Sequence, residues 1–210
     1  MTPEDIPPLF TRADGQYLCA RWGRPIVPVV FGVEDATLAT VKGAIEAVVS
    51  LAGHKMAETD PELGANLMIF FFRDWAELVE VPNLDRLIPD LGALVARLEA
   101  QGATQYRAFR FDAEGAIRAA FVFLRMDGAL SALPAQELAL AQAARVILLW
   151  SEQAFASRSP LARAGEGAGA TVILRPEIAG LIRAAYDPAM PAVARDASHA
   201  LRLAARLANG

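Results

Sequence analysis

Asn66-Leu67-Met68-Ile69-Phe70-Phe71-Phe72 is the stretch whose reading decides the fold. After the asparagine no polar residue interrupts it. A strand with one wet face alternates apolar and polar side chains, whereas a continuous apolar run fits a strand covered on both faces. The sequence therefore predicts a buried strand here, with other elements packed above and below it. Upstream, Ile26-Val27-Pro28-Val29-Val30-Phe31 reads as a second strand ended by Gly32. Pro28 has no N–H to give to a ladder, so this strand belongs at an edge or carries a bulge. Between the two, Leu38, Val41, Ile45, Val48, Val49 and Ala52 recur at helical spacing, with Asp35 placed to cap the helix and Gly53 to stop it.

Downstream, residues 81–100 read as a helix broken at Pro89, with Asp90 capping the second piece and Gly102 closing it. Gln105–Phe111 and Ile117–Met126 read as strands joined into a hairpin by Asp112-Ala113-Glu114-Gly115. A long helix is expected over Pro134–Ala156, apolar nearly all round at Val146–Trp150. Thr171–Leu174 is a short strand, Pro176 opens a helix to Tyr186, and a last helix covers residues 192–208 ahead of Asn209-Gly210. The first 16 residues, with Pro3, Pro7 and Pro8 and no clear period, read as an extended lead-in. Residues 17–210 are then one α+β domain, a single mixed sheet packed against helices. A chain of 210 residues suits one such domain and is short for two.

Composition narrows the function classes. At 54% hydrophobic residues there is ample material for a core, yet no run is long enough to span a bilayer. A net charge of −4 argues against nucleic acid as the main partner. The N-terminus is acidic and proline-rich where a secretory signal begins basic and continues apolar, so a cytoplasmic protein is expected, or a periplasmic one if an upstream signal was removed. Cys19 is the only cysteine, which excludes an intrachain disulfide and a multi-cysteine metal site and suits a small buried thiol.

No motif supplies chemistry outright. His54 and His199 lack partners at metal-ligand spacing and read as surface or cap-proximal residues. The glycine-rich loop within residues 163–170 follows a helix and precedes a strand, the reverse of a phosphate-binding loop, and reads as surface. Glu58, Asp60, Glu62, Asp112 and Glu114 fall in turns and read as solvated. On the final helix Arg195, His199, Arg202 and Arg206 recur at four, three and four residues, one basic stripe that is the candidate contact for an acidic protein partner or a second copy.

Tyr17-Leu18-Cys19-Ala20-Arg21-Trp22-Gly23-Arg24-Pro25-Ile26-Val27-Pro28-Val29-Val30-Phe31-Gly32 resembles the opening of an uncharacterised bacterial domain family, with an Arg-Trp before a Pro-containing first strand. Ala65-Asn66-Leu67 at the start of a strand and Tyr186-Asp187-Pro188 near the end resemble the same family, so the similarity runs over most of the chain. The resemblance implies a zincin-like layout, that of many zinc metalloproteases. The family's long helix carries a His-Glu-Glu-x-x-Gln-like patch; alignment on Ser159-Pro160 sets Val146-Ile147-Leu148-Leu149-Trp150-Ser151 in its place. Burying the four aliphatic residues is worth about 6–12 kcal/mol at about 1.5–3 kcal/mol each, a gain incompatible with imidazoles and a carboxylate at those positions.

The resulting expectation is a non-catalytic binding or assembly protein on a degenerate zincin-like scaffold, with no cofactor and no metal. Two alternatives stay open. One is a hydrolase with an unrecognised carboxylate site, built from Glu152 with Asp112, Glu114 or Cys19. The other is a small-molecule binder with an apolar cleft above the long helix.

Overall fold

Two 3-10 turns, Pro3–Asp5 and Pro7–Leu9, precede strands β1 (Cys19–Ala20) and β2 (Pro28–Phe31), helix α1 (Asp35–Leu51) and strand β3 (Leu67–Phe72). Helices α2 (Glu77–Glu80), α3 (Leu84–Leu87) and α4 (Leu91–Ala100) lead to the hairpin of β4 (Gln105–Phe111) and β5 (Ile117–Arg125). Then come α5 (Gly128–Ser131), α6 (Ala135–Val146), β6 (Leu161–Ala164) and β7 (Thr171–Leu174). The chain ends through α7 (Pro176–Tyr186), β8 (Val193–Ala194) and α8 (Ser198–Ala208). The structure, a computed structural model, describes residues 1–165 and 170–208.

Four strands make one mixed sheet in the order β2-β3-β5-β4, the first three parallel and β4 antiparallel to β5. With helices packed on it, the chain is α+β. Its decisive strand is covered on both faces as its apolar run requires. Leu67, Ile69 and Phe71 join a core with Val41 and Ile45 of α1, Ala143 of α6 and Leu181 of α7. Met68, Phe70 and Phe72 join a second core under Leu78, Leu84, Leu91 and Leu94 of α2 to α4. Pro28 opens β2, an edge strand, where its missing N–H is tolerated. Gly32 has a φ of 81°, and a Cβ there would lie 2.0 Å from the Phe71 carbonyl oxygen, so the stop after β2 admits only glycine.

Several expectations are corrected. The helix expected over Pro134–Ala156 ends at Val146. Beyond it the chain is extended: Leu148 bridges Arg21, the Leu149 amide donates to Ala20 O at 2.8 Å, and the Ser151 amide donates to Leu9 O at 2.7 Å. An apolar run without polar punctuation fits a buried helix and a buried extended segment equally, so periodicity could not separate them. The last helix starts at Ser198, because Val193 and Ala194 pair with Ala20 and Cys19 instead.

The lead-in is not a loose extension, since Ile6 and Phe10 are fully buried and Phe10 stacks on Trp150 with ring centroids 5.2 Å apart. Asp90 caps nothing through its side chain, and its φ is 56°. Glu34 takes the cap position expected of Asp35, also without a side-chain bond. Of the glycine-rich loop, residues 166–169 lie outside the described residues, as do Asn209 and Gly210.

Candidate functional site

Strand β4 ends the sheet, and alternation along it puts Gln105, Arg107 and Phe109 on one face. Helix α6 brings Gln142 and Arg145 to that face. Arg107 Nη2 donates to Gln105 Oε1 at 2.8 Å and to Gln142 Oε1 at 2.6 Å, while Gln142 Nε2 donates to Gln105 Oε1 at 3.0 Å. An open cleft of about 540 Å³ runs along the whole strand, walled opposite by Leu149, Trp150, Ser151, Glu152 and Phe155, with Arg12 at its rim. Its arginines are Arg12, Arg107, Arg110 and Arg145; its one carboxylate, Glu152, is already paired with Arg12.

Charge in this cleft is left uncompensated. Burial pushes the Arg107 guanidinium down to about 9, and the neighbouring Arg145 adds repulsion. Burial also lowers Arg145, whose guanidinium lies 5.0 Å over the Phe155 ring. Arg107 Nε is shut off from solvent and has no hydrogen-bond partner among the described residues. Neither Arg107 nor Arg145 is in an ion pair there. Buried cations normally find a carboxylate or give up their charge, and arginine does not give it up at neutral pH. The arrangement is fit to receive an anion.

No family model, no curated protein and no solved structure matches this chain. The chemistry of its own residues carries the functional reading.

The stripe Arg195, His199, Arg202, Arg206 is not one surface. Arg195 precedes α8 and is exposed, and His199 is only 5% exposed. The Tyr17 hydroxyl and His199 Nδ1 lie 2.9 Å apart, and His199 Nε2 has no partner among the described residues. Burial, with Arg202 and Arg206 adding repulsion, lowers its pKa to about 4. Arg202 is exposed and donates to Ala189 O at 2.8 Å; Arg206 Nε lies 3.1 Å from Asp187 Oδ2. The reading of His199 as a surface residue is corrected with the stripe, although its place in the first turn of α8 is cap-proximal. His54 is half-buried, its Nε2 2.8 Å from Arg24 O.

Asp60 corrects the solvated-turn reading, whereas Glu58 and Glu114 conform to it as exposed residues. Asp60 is 5% exposed. Its carboxylate accepts from the amides of Glu62 and Leu63 at 2.9 and 3.0 Å, from Asn66 Nδ2 at 3.0 Å and from Arg24 Nη1 at 3.3 Å. Burial alone would raise its pKa, but these donors outweigh burial and hold it at about 2. Asn66 Oδ1 in turn accepts from the Val27 amide at 2.8 Å, so the network fixes the starts of β2 and β3.

Asp112 closes the β4–β5 turn through the amides of Glu114 and Ala116. Cys19 is buried, and burial raises its thiol to about 12. Of the groups named for a hydrolase, Glu152 pairs with Arg12, Asp112 holds its own turn and Cys19 is shielded, while the Glu114 side chain is exposed. Among the described residues no three His, Cys, Asp or Glu side chains are placed to hold a metal ion, and no helix is long and apolar enough to cross a membrane.

Sequence reading missed Arg107, Arg110 and Arg145. A signal existed: two arginines interleave with Tyr106, Phe109 and Phe111 in one strand, and Arg145 is the lone charge in the apolar run Ala143–Trp150.

Proposed function

We propose that this chain is a non-catalytic binding protein whose cleft along β4 receives an anionic ligand. One observation carries the reading: Arg107 and Arg145 sit together, half-buried in the cleft, with no carboxylate on either among the described residues. An anion would supply the missing charge, and Trp150 and Phe155 would pack against its apolar part. The zincin-like layout belongs to the same proposal. Where the resemblance sets a metal-binding helical turn, this chain has buried aliphatic residues beyond the end of α6, which supports a scaffold that binds rather than cleaves.

Thermal melting in benzoate, citrate or inorganic phosphate, against chloride at equal ionic strength, tests the reading. A ligand at about 100 times its Kd stabilises by about 2.7 kcal/mol, so a saturable rise in Tm is expected for at least one of them. The doubly substituted Arg107→Gln/Arg145→Gln chain should fold and lose that rise. Equal melting in all four salts would end the proposal.

A further inference from the structure

Every residue from Gln105 to Phe111 lines the cleft, and no strand of the described residues pairs with the outer side of β4. A compact anion would touch two or three of those residues. Seven strand residues span about 24 Å at about 3.4 Å each, the length of an extended peptide. We propose that the occupant is an extended acidic segment of another protein, added to the sheet as a fifth strand along β4. The proposal rests on the anion-binding reading above and names what brings the anion.

The edge chemistry specifies the segment. In strand addition, main-chain hydrogen bonds supply affinity and alternate side chains supply specificity. Directly opposed residues on neighbouring strands point to the same face and meet there. Opposite Arg107 the segment needs an acidic residue, whose carboxylate then serves the unpaired Arg107 and Arg145 as well. Opposite Arg110 it needs a second. Tyr106, Ala108 and Phe109 call for aliphatic or small partners. The recognised pattern is therefore two acidic residues three apart, with uncharged residues between and beside them, and the spacing is the same for parallel and antiparallel addition.

Two features tell against other occupants. A second copy paired edge to edge would bring a second set of the same arginines to this edge, which is destabilising. A basic partner would add to the excess of four arginines over one glutamate in the cleft. Arg110 Nη1 donates to Phe109 O at 3.2 Å and Nη2 to Leu87 O at 2.7 Å, so this side chain guards part of the open edge until an acidic residue draws it away.

Fluorescence anisotropy with a dye-labelled peptide Thr-Val-Glu-Thr-Val-Glu-Val and the full chain tests the proposal. Saturable binding is expected. Replacing both glutamates by glutamine should weaken it about tenfold or more, and Arg107→Gln in the protein should do the same. Two further peptides, N-methylated on alternate sets of amides, separate a strand from a charged coil, because only one set faces β4. One of the two should bind about tenfold or more weakly through loss of main-chain bonds, and the other should bind as the parent does. Arg145→Gln serves as a second variant, and melting curves establish that both variants fold. Equal binding of both methylated peptides, or no loss with either arginine variant, would overturn the strand. No peptide binding while benzoate or phosphate still raises Tm would overturn the strand and leave the anion site standing. Silence from peptide and small anions alike would remove both.

Discussion

Arg21 gives one terminal nitrogen to the Tyr186 carbonyl and the other to the Met190 carbonyl, each at 3.1 Å, and lies 5.2 Å over the Tyr186 ring. Arg107 offers a single nitrogen to two glutamine side chains and reaches no main-chain carbonyl, while the Nε of both arginines has no hydrogen-bond partner among the described residues. Around Arg21 the polar groups are spent on holding chain. Trp22 Nε1 donates to Val146 O, the Tyr186 hydroxyl to Ile147 O and Trp150 Nε1 to Ala144 O, each at 2.8 Å. These bonds replace the ones that a continued α6 would have supplied. Beside β4, by contrast, Arg107 and Arg145 are half-buried and donate to no main-chain carbonyl among the described residues. Shielded cations normally meet a carboxylate or main-chain carbonyls, so a cleft in which two of them meet neither marks the place where the fold has accepted a cost for something other than itself. Arg21, Trp22 and Tyr186, on which the proposed resemblance rests, all lie in the spent region. They report on architecture.

The comparison breaks most violently at Ile147, which is 1% exposed. Ile147→Glu puts a carboxylate among Trp22, Tyr186 and the core, at a cost of several kcal/mol or a raised pKa. Against a total of about 5–15 kcal/mol for a native domain, the chain should fail to fold or melt far lower. Near-native melting of this variant by circular dichroism would mean that the region is wet. Tyr186→Phe should do less. It strands the Ile147 carbonyl and loosens the Trp22 amide, which lies 3.3 Å from the Tyr186 hydroxyl. Urea denaturation should show a loss of about 1–3 kcal/mol.

What could be read in advance follows the same division. Strands β3, β4, β5 and β7 and helices α1 and α7 were legible because their signals are local: apolar runs of strand length, helical spacing, a proline at the first turn. Pro28 limited β2 to an edge or a bulge, and the strand lies at an edge. The stretch after Val146 was not legible, since its conformation is set by Ala20, Leu9 and Tyr186, remote in sequence. The same held for β1, whose partner β8 lies more than 170 residues away. Asp60 looked like any turn carboxylate until Asn66 and Arg24 were brought to it. The cleft was invisible for a further reason: unpaired charge is a property of what is missing around a residue in space, and sequence spacing does not report it.

A pH titration sharpens the contrast through His199. Folded, this imidazole stays neutral down to about 4, whereas its unpaired value is 6.5. Between those values the unfolded chain takes up a proton that the folded chain refuses, so stability falls as pH drops through the window. It is fully present above about 6.5 and levels off below about 4. Tm measured across that range should decline in the wild-type chain, and His199→Gln should flatten the part of the slope that Asp60 and other carboxylates do not supply. An unchanged slope would place His199 in water and return it to the surface.

The smallest expected effect is the one that separates the two regions. If Arg107 were spent like Arg21, removing its charge would strand partners and cost stability, since breaking a satisfied buried charge is worth about 3–5 kcal/mol. Its only side-chain hydrogen-bond partners among the described residues are Gln105 and Gln142, which bond each other at 3.0 Å. Removing the guanidinium also relieves its repulsion with Arg145 and the cost of keeping a cation partly out of water. Arg107→Gln should therefore leave the unfolding free energy within about 0.5 kcal/mol of wild type or raise it slightly. The lost packing of the arginine stem works against any gain, which is why a large increase is not expected. Chemical denaturation of the two chains in parallel, without added anions, measures the difference. A loss of several kcal/mol would show that Arg107 holds the fold together as Arg21 does, and the cleft would then be architecture too.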